Sequence, residues 1–358
     1  MKKIGILTIN DDGNYGNRLQ NYAVQHVLEK KGFEVNTISN QKKSHSIIFF
    51  FKNLIKSIMP NNKGTRYRNF VKFNKYIKYS KIHIDENHIP KKLNKLYDCF
   101  FSGSDQVWNP TFGRMSDIDF LTFADENKRC SFSASFGITK IPEEKKEYYR
   151  DRLEKFKCIS VREDVGKKIV EDLIGRKDVV TLADPTMLLS SEEWDNLSKM
   201  PKQIEKLKIK KYILNYFLGN LSDKRYKEIE KIAKKNKCEI INLLDKNDPF
   251  YISGPSEFLW LEKNAFLICT DSFHSSVFAI IYNRPFVIFD REDQEQNMSS
   301  RLETLISKFH LKDRKYNEKS ITDNNLNHDY SDAYKILEKE KEKSNVFLRK
   351  ALNIKEGE

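Results

Sequence analysis

The sequence has few cysteines and none of the motifs in which cysteine binds zinc. Its five cysteines lie far apart, mostly inside apolar runs that are typical of strands, such as YDCFF and KCISV. There is no C-x-x-C pair and no cluster of histidine and cysteine. We therefore expect reduced, buried thiols, no metal site and no cysteine nucleophile.

Long apolar runs are also missing, since none approaches the roughly 18 residues of a membrane span. The chain passes directly from Met1 into a strand-like run, without the pattern of a signal peptide. This predicts a cytoplasmic protein. Any contact with the inner face of the cell membrane would be peripheral.

A surface for nucleic acid is not indicated either, although the formal net charge is +13. The lysines are scattered among Glu and Asn, and aromatic residues do not alternate with arginines as they do on a base-stacking surface. We interpret most of this charge as solvated surface and expect no nucleic acid partner, with docking on an anionic bilayer as the alternative.

What the chain does have is length and apolar content. Its 358 residues exceed the usual size of one hydrophobic core, and its hydrophobic fraction of 39% includes 24 Phe and 16 Tyr. The first forty residues follow the order strand, helix and strand, which is the unit of a parallel sheet. The two strands are KIGILTIN and FEVNTIS, and the helical pattern between them ends at Gly32.

The same order of elements returns in the second half of the chain, from KKYILNYFLG onward. The predicted strands there cover residues 211–218, 239–244, 265–269 and 285–289, and the predicted helices include 223–235 and 256–263. The simplest α/β architecture is two doubly wound Rossmann-type domains that face each other across a cleft. We place the domains at 1–205 and 206–330, followed by a C-terminal helix in 331–358 that packs across them.

Residues 45–80 allow two interpretations. SIIFFFKNLIKSIM is aromatic and amphipathic, and the stretch after it is basic. Two helices that cover the sheet are one interpretation. The other is a surface that meets lipid headgroups.

Parallel sheets bind ligands beyond the carboxyl ends of their strands, so the loops that follow apolar runs are the candidates for a site. The first of these loops leads into the first helix and contains Asn14, Gly16, Asn17, Arg18 and Gln20. Helix amides without an intrahelical partner attract anions or sugar hydroxyls at such an end. A plain N-capped helix is the alternative, since the G-x-G-x-x-G fingerprint of dinucleotide sites is absent.

The second loop, SGSDQVWNP, consists mostly of small, polar or conformationally special residues. Asp105 can accept hydrogen bonds from sugar hydroxyls, and Trp108 offers a flat face to a pyranose ring. In the alternative, Asp105 caps a helix and Trp108 belongs to the core. We favour the site.

The third loop, SVRED, places Arg162 at the end of a strand, just before a helix. A guanidinium group there can form a fork for a carboxylate or a phosphate, because its planar geometry matches both. A surface salt bridge is the alternative.

The fourth loop, TDSFHSS, follows the apolar strand AFLIC. Asp271 or Ser272 is a suitable N-cap, which places His274 in the first turn of the next helix. The positive end of the helix dipole favours a neutral imidazole that can exchange a proton near pH 7. A purely structural histidine is the alternative.

Five segments stand out along the sequence: NYGNRLQNYAV, SGSDQVWNP, SVRED, LADPTMLL and GPSEFLWLEKNAFLICTDSFHSSVFAIIYNRPFVIF. Together they resemble the polysaccharide pyruvyl transferase family. The resemblance lies in the combination and order of these segments. It implies a GT-B-like fold with the acceptor on the N-terminal domain and the donor on the C-terminal domain. It also implies that the enolpyruvyl part of phosphoenolpyruvate moves to a sugar of a surface polysaccharide or its lipid-linked precursor, with ketal formation and phosphate release. Phosphoenolpyruvate would be the donor substrate, and no cofactor is implied.

The resemblance also suggests roles for the candidate residues. His274 would be the acid that protonates the methylene carbon, Asp105 would orient or deprotonate the acceptor, and Arg162 would bind the donor anion. The predicted substrate-binding residues are Asn14, Gly16, Asn17, Arg18, Gln20, Gly103, Ser104, Trp108, Asp184, Gly254, Ser272, Ser275 and Arg301.

One position departs from the family pattern. Many members carry arginine two positions before this histidine, and this chain has Ser272 there. Arg284, Arg291 or Arg301 would have to supply the missing cation. The departure leaves two alternatives: a GT-B glycosyltransferase that uses a nucleotide sugar, or a glycan-binding protein without catalysis.

Overall fold

The structure is a computed structural model that describes residues 1–10, 13–40, 58–113, 115–292, 300–318, 320–327 and 329–355. The strands in this part are β1 (Lys3–Leu7), β2 (Glu34–Ser39), β3 (Tyr79–His83), β4 (Cys99–Ser102), β5 (Arg129–Ser131), β6 (Ser160–Val161), β7 (Val180–Thr181), β8 (Tyr212–Tyr216), β9 (Glu239–Asn242), β10 (Leu267–Thr270) and β11 (Phe286–Ile288). The α-helices are α1 (Tyr15–Glu29), α2 (Asn62–Phe73), α3 (Leu93–Leu96), α4 (Lys146–Leu153), α5 (Asp164–Ile174), α6 (Ser191–Asp195), α7 (Lys202–Lys206), α8 (Asp223–Asn236), α9 (Pro255–Asn264), α10 (Phe273–Ile281), α11 (Ser300–Lys308) and α12 (Ser331–Leu352).

The first sheet is parallel and has the strand order β3-β2-β1-β4-β5. This is the strand order of a doubly wound Rossmann sheet, in which the chain reverses direction across the sheet between β1 and β4. Leu7 at the end of β1 pairs with Ser102 at the end of β4. The loops that leave these two strands therefore start side by side, at the point where such sheets bind ligands.

The second sheet is also parallel, with the order β11-β10-β8-β9. Its chain reverses direction between β8 and β10, and Tyr216 at the end of β8 pairs with Thr270 at the end of β10. The loops after β8 and β10 therefore occupy the corresponding position in this sheet.

The chain divides into two compact units whose limits differ from the predicted domains. The first comprises the described residues within 1–55, 74–188 and 338–358, and the second those within 56–73 and 189–337. The boundary falls after 188 instead of 205 because the fully buried Trp194 of α6 packs edge-on against Phe278 of α10, with 5.1 Å between ring centroids.

The C-terminal helix α12 begins in the second unit and ends in the first, so it is not a separate element. Near its start the hydroxyl of Tyr334 donates to the carbonyl oxygen of Ile280 at 2.9 Å. Near its end the carbonyl oxygen of Ala351 accepts from the ammonium group of Lys157 at 2.8 Å. Each end of the helix is thus anchored in its own unit.

The segment 45–80, for which two helices over the sheet and a lipid-facing surface were the two interpretations, is described only in part, because residues 45–57 lie outside the described residues. In α2, Arg66 is 7% exposed and lies between the rings of Phe70 and Tyr251, at 4.9 and 5.1 Å from their centroids. In the described ranges, no helix combines the length and apolar character that spanning a bilayer requires.

Candidate functional site

In the first unit, the predicted residues of the first two loops lie together. The Thr8 hydroxyl, just beyond β1, donates to the carbonyl oxygen of Ser104, just beyond β4, at 2.9 Å. The side-chain amide of Gln20 donates to the same Thr8 hydroxyl at 2.8 Å and to the carbonyl oxygen of Asn17 at 3.0 Å. The first turns of α1 are therefore fixed to both loops.

Arg162 lies at the centre of this arrangement and binds two carboxylates. Its Nη1 is 2.7 Å from Oδ2 of Asp184, and its Nη2 is 3.0 Å from Oδ1 of Asp105. The side-chain amide of Asn17 donates to the other oxygen of Asp105. We call Asn17, Asp105, Arg162 and Asp184 the strand-end cluster.

The charge balance of the cluster keeps the arginine ionised. Burial alone lowers the pKa of Arg162, but Asp184, Asp105 and Glu163 outweigh it and raise the pKa above its usual value. Arg162 was predicted to form a fork for a donor anion or else a surface salt bridge. Its guanidinium group instead holds two carboxylates of its own chain, at a position that is 3% exposed.

Asp184 has its hydrogen bonds within the protein. Its Oδ1 accepts from the amide and hydroxyl of Thr186 at 3.0 and 2.7 Å, and its Oδ2 accepts from the Ser104 hydroxyl at 3.1 Å as well as from Arg162. Asp184 is 1% exposed and Ser104 is fully buried, and both position the strand-end cluster.

The backbone after β4 requires glycine at position 103. Gly103 has a φ of +108°, which side-chain-bearing residues rarely adopt, and a Cβ there would lie 2.7 Å from the carbonyl oxygen of Phe132. Asp105 also has a positive φ, of 72°. Gly103 was predicted to bind substrate, but its geometry gives it a conformational role, since it allows the chain to bring Asp105 to Arg162.

Two residues predicted to bind substrate belong to the interior. Trp108 is fully buried and lies parallel to Phe120, with 5.8 Å between ring centroids, and its indole N–H donates to the carbonyl oxygen of Asp119 at 3.1 Å. It has no exposed face for a sugar ring. Arg18 is 1% exposed, and its guanidinium group donates to the Tyr79 hydroxyl instead of reaching a donor anion.

The other predicted residues of the first loop form the start of α1. Asn14 is the N-cap, and its side-chain oxygen accepts from the Asn17 amide at 3.3 Å. Gly16 is buried in the first turn, and Gln20 is fully buried. The N-cap and the strand-end cluster therefore form together. The backbone N–H of Asn17 donates to the Asn14 side chain, and the side chain of Asn17 donates to Asp105.

In the second unit, Asp271 joins the two loops at the point of chain reversal. Its carboxylate accepts from the amides of Leu218 and Gly219 at 2.7 Å each, so the loop after β8 is tied to the loop after β10. Arg291 forms an ion pair with the same carboxylate at 3.1 Å. The Asp271 carboxylate thus binds these two amides and Arg291, and the N-cap of α10 is Ser272.

Helix α10 starts directly beyond this junction. Ser272 is its N-cap residue, but the Ser272 side chain makes no capping hydrogen bond. His274 is the second residue of the helix, is 7% exposed, and has its ring edge-on to Phe273 at 5.3 Å. The guanidinium group of Arg301 is 5.9 Å from the centroid of the Phe273 ring.

Two further predicted residues have structural roles. The Ser275 hydroxyl donates to Oε1 of Glu262 at 2.6 Å, and both residues are fully buried. Gly254 is the N-cap of α9, its N–H donates to Glu257 at 3.1 Å, and a Cβ there would lie 2.7 Å from the carbonyl oxygen of Asn69. Neither residue is placed to contact a substrate.

Three arginines were considered as replacements for the arginine that many family members carry two positions before this histidine. One of them, Arg284, lies beyond the C-terminal end of α10, whereas His274 is in the first turn. Arg284 follows the last turn of this nine-residue helix, which is ~13 Å long. Arg291 and Arg301 are the two whose contacts place them near the first turn.

The sequence model described as polysaccharide pyruvyl transferase matches residues 14–293, which is more than half of the chain. The chain belongs to the polysaccharide pyruvyl transferase family. The matched range includes all four residues of the strand-end cluster and the segment around His274. No curated protein matches this family member in sequence.

Solved structures place the family member in the GT-B class, with two Rossmann-like domains. It is similar to UDP-N-acetylglucosamine 2-epimerase from Rickettsia bellii, with 12% identity, 99% of this chain and 97% of that chain covered, and a TM-score of 0.50. The UDP-GlcNAc 2-epimerase from Neisseria meningitidis bound to UDP-GlcNAc has 13% identity, coverages of 99% and 98%, and a TM-score of 0.50. The S. aureus MnaA–UDP structure has 12% identity, coverages of 99% and 98%, and a TM-score of 0.52. At these identities the similarity concerns the fold alone.

Sequence reasoning missed three residues that stabilise the loops and helices described above, each within its own unit. Thr8 directly follows the β1 run, and Thr186 lies two positions after Asp184, a spacing at which an Asp side chain binds the backbone. Glu262 lies three and four positions after the fully buried Leu259 and Phe258. That spacing puts the acid on the apolar face of α9 and was the available signal.

Proposed function

We propose that this protein transfers the enolpyruvyl part of phosphoenolpyruvate onto a sugar of a surface polysaccharide or of its lipid-linked precursor. Membership of the pyruvyl transferase family supports the class of reaction. The observation that carries the proposal is the position of His274, in the first turn of the helix that follows β10, where a Rossmann-type sheet binds its ligand.

The chemistry needs one acid and two hydroxyl groups of the acceptor sugar. The first hydroxyl adds to C2 of phosphoenolpyruvate while C3 takes a proton and becomes a methyl group. The second hydroxyl then displaces phosphate from C2, which closes the ketal, and its proton leaves with the phosphate. His274 is the group we assign to the protonation of C3, because imidazole exchanges protons near neutral pH.

The donor carries a phosphate and a carboxylate, so its site needs cations and amide donors. Arg291 and Arg301 lie beside the first turn of α10, whose N-terminal end favours anions. Arg301 therefore brings a cation to the turn where Ser272 replaces the family's arginine, and Arg291 brings a second cation whose charge Asp271 shares. This supports phosphoenolpyruvate as the donor despite that departure.

For the acceptor we assign Asp105, and we favour orientation of the sugar over deprotonation. A carboxylate that pairs with arginine is a weak base, because the nearby positive charge stabilises its ionised form. Asp105 lies in the loop that leaves β4, at the edge of the sheet where such folds bind their ligands.

The test is phosphate release from phosphoenolpyruvate in the presence of lipid-linked or nucleotide-linked amino sugars. We expect release by the wild type, loss of release in His274→Gln, and a reduced rate in Asp105→Asn. The matched control is His310→Gln, because His310 is an exposed histidine paired with Asp332 at 2.7 Å. It should keep the wild-type rate.

A thermal-shift panel distinguishes the alternatives, since a ligand that binds the native state raises its melting temperature. We expect stabilisation by phosphoenolpyruvate and none by UDP-, GDP- or CMP-sugars. Consumption of a nucleotide sugar without phosphate release would instead identify a glycosyltransferase. Acceptor binding that is equal in wild type and His274→Gln, without turnover of any donor, would identify a glycan-binding protein.

A further inference from the structure

Glu262 is a fully buried acid that accepts a hydrogen bond from a residue beside the candidate active site. Its Oε1 accepts from the Ser275 hydroxyl at 2.6 Å. Among the residues that the structure describes, its Oε2 has no hydrogen-bond partner. Burial raises the pKa of this carboxyl well above its usual value, although the Ser275 hydrogen bond opposes that effect.

Such a group is costly for packing alone. A buried polar atom without a partner loses its hydration and gains nothing in return. The surrounding face of α9 is apolar, with Phe258 and Leu259 fully buried. A leucine at position 262 would satisfy that environment better, so the carboxyl must be explained by what it binds.

What it binds is the first turn of α10. Ser275 is the third residue of this helix and directly follows His274. The turn receives no capping hydrogen bond from the Ser272 side chain, so the bond from α9 is a constraint that reaches it from the protein interior. Without Glu262, the Ser275 hydroxyl would need another acceptor, such as the carbonyl oxygen of Ser272 three residues back, a bond that serines in helices also form.

We propose that Glu262 is a positioning residue that fixes the first turn of α10, and with it the imidazole of His274, through the hydroxyl of Ser275. This rests on the proposed function for the role of His274 in catalysis. The constraint itself is a property of the fold and has a readout that does not depend on turnover.

The test compares Glu262→Leu, Glu262→Gln and Ser275→Ala. Three quantities are measured: the melting temperature, kcat for phosphate release, and the Cε1–Hε1 NMR signal of His274, assigned by its absence in His274→Gln. The matched control is Tyr212→Phe, because the buried Tyr212 hydroxyl donates to the carbonyl oxygen of Leu261, the neighbour of Glu262 on α9, at 2.8 Å.

We expect Glu262→Leu to keep or raise the melting temperature while kcat falls about tenfold to a hundredfold, the cost typical of a misplaced catalytic group. The His274 signal should shift or broaden. Ser275→Ala should lower kcat and change the signal in the same way. Glu262→Gln keeps an acceptor for Ser275 and should keep both close to wild type, whereas Tyr212→Phe should lower only the melting temperature.

An unchanged His274 signal in both Glu262→Leu and Ser275→Ala would overturn the proposal and leave the pair a role in packing only. An equal effect of Tyr212→Phe on the signal would also overturn it, since any loss of a buried hydrogen bond on α9 would then suffice. If the wild type does not release phosphate, the proposed function fails, and the NMR comparison still decides whether Glu262 positions His274.

Discussion

Arg162 and Asp184 form an ion pair of 2.7 Å in which the arginine side chain is 2% exposed and the aspartate side chain is fully buried. With Asp105 on the other arm of the guanidinium group, this pair connects the loops that follow β4, β6 and β7. Buried ion pairs contribute little net stability, because desolvation offsets their attraction, but the loss of one partner leaves a buried charge uncompensated. The cluster is therefore sensitive to changes at its centre.

Replacement of Arg162 by methionine should strongly destabilise the first unit. Two carboxylates would lose their cation, and we expect a loss of about 3–5 kcal/mol in the free energy of unfolding. Urea denaturation measures this loss. The control is Lys235→Ala, which removes the exposed 2.6 Å pair with Asp323 and should cost about 0–1 kcal/mol. Equal losses in the two variants would contradict the central role of Arg162.

Replacement of Trp108 by alanine should act on stability and not on sugar recognition. The indole ring is fully buried against Phe120, so its removal should cost about 3–5 kcal/mol through lost burial and a cavity. Trp108→Phe should cost less, because it refills part of the space. Chemical denaturation decides the matter, and a variant of wild-type stability with weakened acceptor binding would restore the surface role predicted from the sequence.

Replacement of Gly103 by alanine should be more damaging than replacement of Gly32. Both glycines have a positive φ, +108° and +84°, which costs about 1–2 kcal/mol for a residue with a side chain. A Cβ at Gly32 meets nothing within 4 Å, but at Gly103 it meets the Phe132 carbonyl oxygen at 2.7 Å. We expect a lower melting temperature for Gly103→Ala than for Gly32→Ala, and the reverse order would show that the loop after β4 can relax.

The buried acid at position 262 should make stability depend on pH. Burial raises the pKa of Glu262 in the folded state, so the folded state holds a proton that the unfolded state has released. The contribution is fully present below the ordinary glutamate pKa and is lost as pH rises toward the folded value, at up to about 1.4 kcal/mol per pH unit.

Urea denaturation of wild type and Glu262→Gln between pH 5 and 8 checks this dependence. The difference in stability between the two proteins should move in favour of Glu262→Gln as the pH rises. Tyr212 and Tyr282 lie close enough to Glu262 to sense its charge. Burial raises their pKa values, so both stay neutral over this range. Parallel profiles for the two proteins would mean that Glu262 is ionised in the folded state.

Much of the second sheet could be predicted from the sequence, because buried parallel strands form continuous apolar runs. The runs predicted at 211–218 and 265–269 contain or overlap β8 (Tyr212–Tyr216) and β10 (Leu267–Thr270). The limits of the units could not be predicted in the same way. Trp194 joins the second unit through a contact with Phe278, which is distant in sequence and leaves no local signal.

The strand-end cluster was predictable in its members but not in its bonds. Asn17, Asp105 and Arg162 come together because the carboxyl ends of parallel strands meet at one edge of a sheet. Arg162 was predicted to bind the phosphate or carboxylate of a substrate. Its anions are carboxylates of this chain, and residue type alone does not distinguish these from the anions of a substrate.

Because α12 is divided between the two units, the order in which the units are synthesised differs from the order in which they are completed. Residues 189–337 of the second unit are made before residues 338–358, which belong to the first. Until the end of α12 emerges from the ribosome, the first unit lacks Leu348 and Ala351, which are almost fully buried in the finished protein. The first unit is therefore begun before the second and completed after it, with part of its apolar surface uncovered in between.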